Sequence, residues 1–243
     1  MRGIFSAGVM DVMMENGIRF DGIIGVSAGA AFGVNYKSGQ IGRAIRYNAK
    51  YCHDKRYCGI GSLLKTGNLF NTDFCYGEVP LKLDIFDFDA FEKDPTPFYI
   101  TCTDVESGKP VYHEYTGRND HGFDWIRASA SLPLVSQIVE IDGAKLLDGG
   151  ISDSIPVAYF ESIGYTKNIV ILTQPQNYRK EKNRMLPGRA DYAAPFALRD
   201  RTTNQPIVCR VPFAGGQRDR REPQKVGEGP TLRQAERRKP PAG

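Results

Sequence analysis

From Phe5 to Glu15 the apolar residues Phe5, Val9, Val12 and Met13 recur at helical spacing, and Gly17 supplies a stop. The run Ile23-Ile24-Gly25-Val26 reads as a buried strand, and the small residues from Ala28 to Val34 suit a helix packed closely on a sheet. A polar, glycine-punctuated stretch from Lys55 to Asn71 reads as loop. Its apolar members Leu63, Leu64, Leu69 and Phe70 either join the core or line an access surface. Phe98 to Cys102 and Val111 to Tyr115 read as strands, and Trp125 to Ser131 fits a short helix stopped by Pro133. Lys145 to Leu147 fits a strand end, Val157 to Ile163 a helix, and Asn168 to Thr173 a last buried strand. Strands alternating with helices over short connections predict an α/β fold. The expected form is a three-layer αβα arrangement with a mostly parallel sheet covered on both faces.

The pattern stops near Pro187. Residues 188–243 hold seven Pro, six Gly and twelve basic residues among 56, a composition that cannot bury enough apolar surface to offset its ordering entropy. The expected division is therefore a domain over residues 1–187 and a basic Pro/Gly-rich tail over 188–243. The tail is either disordered or foreign to the domain. It also explains the net charge of +4, because the first 187 residues carry 20 basic against 22 acidic side chains. The basic balance thus says little about partners of the folded part, and nucleic acid is not expected without aromatic interleaving or a reading module.

Composition narrows the chemistry further. Five cysteines form no CxxC pair, which argues against a zinc, iron–sulfur or thioredoxin-type site; neither metal nor cofactor is expected. The longest uncharged stretch, Gly22 to Tyr36, is too short to span a bilayer. With no signal peptide at Met1, a cytoplasmic protein is expected, with peripheral membrane contact left open.

Gly25-Val26-Ser27-Ala28-Gly29 is a G-x-S-x-G, the pattern of a sharp strand-to-helix turn that lifts a serine hydroxyl out of a sheet. The pattern alone is weak, but here an apolar strand precedes it and a small-residue helix follows. Free N–H groups at such a helix start can hold an oxyanion, which makes Ala28 N–H a candidate donor. The serine needs a base. Of the three histidines, His53, His113 and His121, none fits the usual Ser–acid–His order without a cramped partner such as Asp104, so each reads as a surface or structural residue. A carboxylate is the alternative. Asp148 follows an apolar strand end and precedes Gly149 and Gly150, which permit a tight turn, although D-G-G alone is an ordinary turn signal.

Together these segments resemble the patatin-like phospholipase family over residues 1 to 187. Met1-Arg2-Gly3 with Phe5 to Val9 is similar to the end of that family's glycine-rich oxyanion loop and the helix it opens. Gly25 to Gly29 is similar to its nucleophile elbow, and Asp148-Gly149-Gly150 to its Asp-Gly-Gly/Ala block. Thr103 to Gly108 and Ala128 to Pro133 fall in the expected order between them. The resemblance implies a Ser–Asp dyad, with Ser27 as nucleophile and Asp148 as base, working through an acyl-enzyme on phospholipid or other acyl esters. It also implies Gly3 as a matched oxyanion position and Arg2 as the loop's basic position, where it either faces a lipid phosphate or is a plain surface arginine.

Two departures from the family pattern shape the expectations. Family members begin with a strand running into several glycines, which this sequence lacks, and the stretch beyond Pro187 does not resemble the helical continuation. On that ground the chain as written is expected to turn over poorly. The leading function is a serine lipid acyl hydrolase. The alternatives are an acyltransferase using the same nucleophile, or an inactive fragment or lipid-binding module.

Overall fold

In a computed structural model, which describes residues 3–173, the strand β2 (Phe98–Asp104) organises the others. Its alternation sends Phe98, Ile100 and Cys102, all fully buried, into one apolar core and turns Tyr99 to the opposite face. One edge of β2 carries the antiparallel strand β3 (Pro110–Glu114), with Tyr99 opposite Glu114 and Thr103 opposite Pro110. The other edge is shared. Along it β1 (Ile23–Val26) runs parallel from Phe98 to Thr101, and β5 (Ala144–Asp148) runs antiparallel from Asp104 to Cys102. The C-terminal ends of β1 and β5 therefore meet head to head, at Val26 opposite Thr101 and Asp148 opposite Cys102.

Helices cover both faces, as the α/β three-layer class requires. On one side α2 (Ala28–Lys37), α5 (Phe88–Lys93) and α6 (Asp124–Ser129) bury Ala30, Val34, Phe91, Ile126 and Ala128 against Phe98 and Ile100. Behind α2 lie α1 (Gly3–Glu15) and α3 (Arg43–Tyr51), where Ala7, Phe32 and Ala44 form a smaller apolar cluster. On the other side α7 (Val157–Ser162) sets Tyr159 and Phe160 edge-on to Tyr99, with ring centres 6.2 and 5.8 Å away. The sheet is mixed, not wholly parallel. Among the described residues β1·β2 is the parallel ladder, while β2·β3, β2·β5 and the pairing of β5 with β4 (Val139–Ile141) are antiparallel. Short connections leave β2–β3 and β4–β5 no other geometry. The strand β4 (Val139–Ile141) reaches β5 through Asp142-Gly143, both at positive φ, as a two-residue hairpin turn demands.

Two segments differ from the sequence expectation, and a third had none. Part of the Lys55–Asn71 stretch, read as loop, is a helix, α4 (Ile60–Thr66), closed by Gly67 in the left-handed region. Asn168–Thr173, expected as a strand, is half-buried as far as Ile171 and joins no ladder among the described residues. A π-helical segment, Asp73–Leu83, carries Pro80 inside it, where the wider turn tolerates the missing N–H. The expected domain end at 187, the tail 188–243 and Arg2 lie outside the described residues.

The small-residue character of β1 and α2 has a direct packing cause. A Cβ on Gly25 would stand 2.6 Å from the backbone N and Cα of Ala30, so only glycine lets strand and helix close this tightly. Gly29 is different: a Cβ there meets nothing within 4 Å, so only one glycine of the motif is sterically required. Gly25→Ala should cost about 1–3 kcal/mol or more in chemical denaturation, as overpacking does. Gly29→Ala, inside α2, should be neutral or raise stability by up to about 1 kcal/mol.

Candidate active site

Ser27 sits between β1 and α2 with φ 54 and ψ −119, a backbone conformation that L residues with side chains rarely adopt. Three bonds hold it there. The Ser27 carbonyl accepts from the Ala30 and Ala31 N–H groups at 3.0 and 3.1 Å. Its own N–H donates to Ser129 Oγ at 2.9 Å, and Ser129 Oγ in turn donates to the Thr101 carbonyl at 2.7 Å. Ser129, fully buried at the end of α6, thus ties the turn to β2. Sequence reasoning gave Ser129 no role beyond its place in the Ala128–Pro133 block.

Asp148 ends β5 and is 2% exposed. Its N–H donates to the Ser131 carbonyl at 2.9 Å, and its carbonyl accepts from Thr103 Oγ1 at 2.8 Å. Its side chain caps the short 3₁₀ turn Gly149–Ile151, where Oδ1 accepts the Gly150 N–H at 2.7 Å. Gly149 is sterically required, because a Cβ would stand 2.2 Å from the Thr101 carbonyl oxygen. Gly150 is merely tight, with its Cβ position 3.0 Å from Asp148 Oδ1. Burial pushes the Asp148 pKa up, against smaller opposing pulls from the neighbouring Ser27 hydroxyl and the Gly150 N–H. Oδ2 is fully buried and no donor completes a hydrogen bond to it. The Ser27 hydroxyl thus adjoins the carboxylate and favours its charged form.

The starts of two helices converge on the same place. A Cβ on Gly3, the first residue of α1, would lie 2.6 Å from Ala28 Cβ at the start of α2. Both helices begin there with N–H groups that have no intrahelical acceptor, and α2 presents the positive end of its dipole at Ser27, which immediately precedes it. The two candidate oxyanion donors are therefore neighbours. The histidines stand elsewhere. His53 is exposed; His113 pairs with Asp120 at 2.7 Å and stacks on Trp125, and His121 pairs with Asp142 at 3.1 Å. Asp104 caps its own turn, accepting from Ser107, which lowers its pKa. Among the described residues no group of three His, Cys, Asp or Glu side chains could hold a metal. A cleft of about 570 Å³ between Tyr76, Leu81, Phe88, Arg118 and Phe123 does not include Ser27 or Asp148 in its lining.

The model of the patatin-like phospholipase family matches residues 1–161. The uncharacterized protein YjjU of Escherichia coli is 32% identical over 182 residues, covering 72% of this chain and 49% of that protein. An uncharacterized NTE family protein of Mycobacterium tuberculosis is 27% identical over 170 residues, 70% of this chain and 45% of its own. A protein of Aspergillus terreus named lysophospholipase nte1 is 29% identical over 175 residues, 67% of this chain and 10% of its own. The chain spans about half the length of the bacterial relatives. It belongs to the patatin-like phospholipase family.

Two predictions follow the geometry. Ser129→Ala leaves the Ser27 N–H and the Thr101 carbonyl without their partner, and should cost about 1–3 kcal/mol in chemical denaturation. Asp148 behaves differently. Its raised pKa means the fold favours the protonated form, so its contribution to stability is present below the ordinary value of 3.8 and is lost as pH rises through the raised one. Asp148→Asn should therefore gain in thermal midpoint relative to the parent on going from pH 3 to pH 8. A gap that stays constant with pH would contradict the raised pKa.

Proposed function

We propose that this patatin-like phospholipase family member is a serine lipid acyl hydrolase, cleaving carboxylic esters of phospholipid or lysophospholipid with Ser27 as nucleophile and Asp148 as base. The observation that carries the reading is the meeting of β1 and β5 on one edge of β2, which sets a strained serine beside a buried, incompletely partnered carboxylate. In this reading Ser27 Oγ attacks the acyl carbonyl carbon while its proton passes to Asp148. The carbonyl oxygen becomes an oxyanion beside the Ala28 and Gly3 N–H groups. Collapse breaks the ester bond, and the departing alkoxide takes the proton from Asp148. Water then gives a proton to Asp148 as it attacks the acyl-enzyme, and release of the carboxylic acid returns that proton to Ser27.

The electrostatics favour this assignment. A carboxylate with its pKa raised by burial is a stronger base than an exposed one, and Oδ2 has room for a proton because nothing else bonds there. Ser129 acts as a positioning residue. By occupying the amide of Ser27 it leaves oxyanion stabilisation to the neighbouring Ala28 and to Gly3. The relative named as a lysophospholipase supports the substrate class.

The reading is tested by hydrolysis of a soluble short-chain p-nitrophenyl ester. Ser27→Ala and Asp148→Asn should each lower turnover by at least about 10³-fold, since nucleophile and base act as a unit. His53→Ala, His113→Ala and His121→Ala should keep most activity; near-total loss in one of these, with folding intact, replaces the dyad by a histidine-dependent site. Activity should also fall on the acid side with an apparent pKa above the ordinary carboxylate value, because Asp148 must be ionised to accept the proton.

A further inference from the structure

Residues 57–71 and 128–139 form a single surface. The Leu69 N–H donates to the Val135 carbonyl at 2.7 Å, the Gln137 N–H donates to Asn68 Oδ1 at 2.8 Å, and Gly67 lies against the Gln137 side chain. On this surface α4 is amphipathic in the wrong sense. It buries Ser62, whose hydroxyl donates to the Asn68 carbonyl, and turns Ile60 and Leu64 outward, 74% and 82% exposed. Four residues apart, they lie on one side of the helix. The second segment adds Leu132, Leu134 and Ile138, all exposed. The apolar cluster expected at Leu63, Leu64, Leu69 and Phe70 is therefore divided. Leu63, Leu69 and Phe70 are half-buried, with Phe70 edge-on to Tyr57, and Leu64 alone of the four is fully outward, joined by Ile60.

Charge separates this surface from the rest. A quarter of the chain's residues are charged, yet these two segments hold no carboxylate and one charge, Lys65, exposed on α4. The surface also begins at the proposed site, because Leu132 directly follows Ser131, whose carbonyl accepts the Asp148 N–H. Water gives no reason to keep large side chains outward on a helix that buries a serine.

We infer that α4 and residues 132–138 are the face that settles on a phospholipid bilayer. Ile60, Leu64 and Leu134 enter the boundary between headgroups and acyl chains, and the Lys65 ammonium meets headgroup phosphate. The bilayer, and not a protein partner, is the occupant for two reasons on the surface itself: the one charge on α4 is cationic, and the surface adjoins a site whose proposed substrate is held in lipid. The inference rests on the lipid-hydrolase reading for that second reason.

Binding is measured on the full chain carrying Ser27→Ala, so that lipid is not consumed, by co-sedimentation with vesicles of phosphatidylcholine alone or with phosphatidylglycerol added. Ile60→Asp with Leu64→Asp should weaken vesicle binding by at least about 10-fold, since two large apolar side chains are withdrawn from lipid. With Ser27 restored, the same pair should keep hydrolysis of the soluble ester within about two-fold. Val12→Asp, an exposed apolar position on α1, should change neither. If the double variant does not fold, Leu64→Ser alone, milder, should still bind vesicles measurably more weakly than the parent. Equal binding by parent and variants, or no binding of the parent to either vesicle, overturns the inference. So does a parent dimer, seen by sedimentation velocity, that the double substitution dissociates. Loss of soluble-ester activity in Ser27→Ala belongs to the dyad reading and is independent of all these outcomes.

Discussion

When two strands occupy the same edge of a third from opposite directions, each has to stop where the other begins. Here β1 and β5 stop at Thr101 and Cys102, and everything at the site follows from that junction. Neither strand can continue in the sheet, so the chain must leave it at once on both sides. On one side it leaves through the strained turn at Ser27, on the other through the 3₁₀ turn after Asp148. Thr101 sits under both exits. Its carbonyl accepts from Ser129 and is approached so closely by Gly149 that no Cβ fits between them.

The junction is costly in itself. A serine at positive φ, a buried carboxylate with one oxygen unpartnered and a pKa raised by burial all work against folding. The stabilising part lies one layer away, in Phe91, Phe98, Ile100, Ile126 and Leu146, each at most 2% exposed. The polar site and the apolar core share β2 by alternation. Phe98, Ile100 and Cys102 fill the core, while Thr103 on the opposite face bonds to the Asp148 carbonyl and to Ser152.

Much of this arrangement is legible in the sequence because it obeys simple periodicity. β1, β2, β3 and β5, with α1, α2, α6 and α7, stand close to where the spacing of apolar residues predicts them. What was missed fails that rule for identifiable reasons. The inward face of α3 carries Arg43 and Asn48, and the buried guanidinium bonds to Asn35, the Asp84 carbonyl and the ring faces of Tyr47 and Phe86, so polarity disguises a core helix. The outward face of α4 carries the apolar side chains, which reverses the pattern. β4 was announced only by Asp142-Gly143, a hairpin signal present in the sequence and passed over. Ser27, Asp148, Gly25 and Gly149 lie in local motifs. Ser129 does not, because its role depends on a partner 102 residues away.

That distance has a temporal side. The bond from Ser27 to Ser129 and the ladder that holds Asp148 both wait for segments far along the chain. Such long-range closures form late, because the loop entropy must be met before any contact repays it. During synthesis at about 5–20 residues per second, Ser27 precedes Asp148 by roughly 6–24 s. Throughout that interval the serine lacks the neighbouring carboxylate, and for most of it Ser129 as well. A ribosome-bound chain of this sequence therefore lacks the assembled Ser27–Asp148 pair until its sheet is nearly complete.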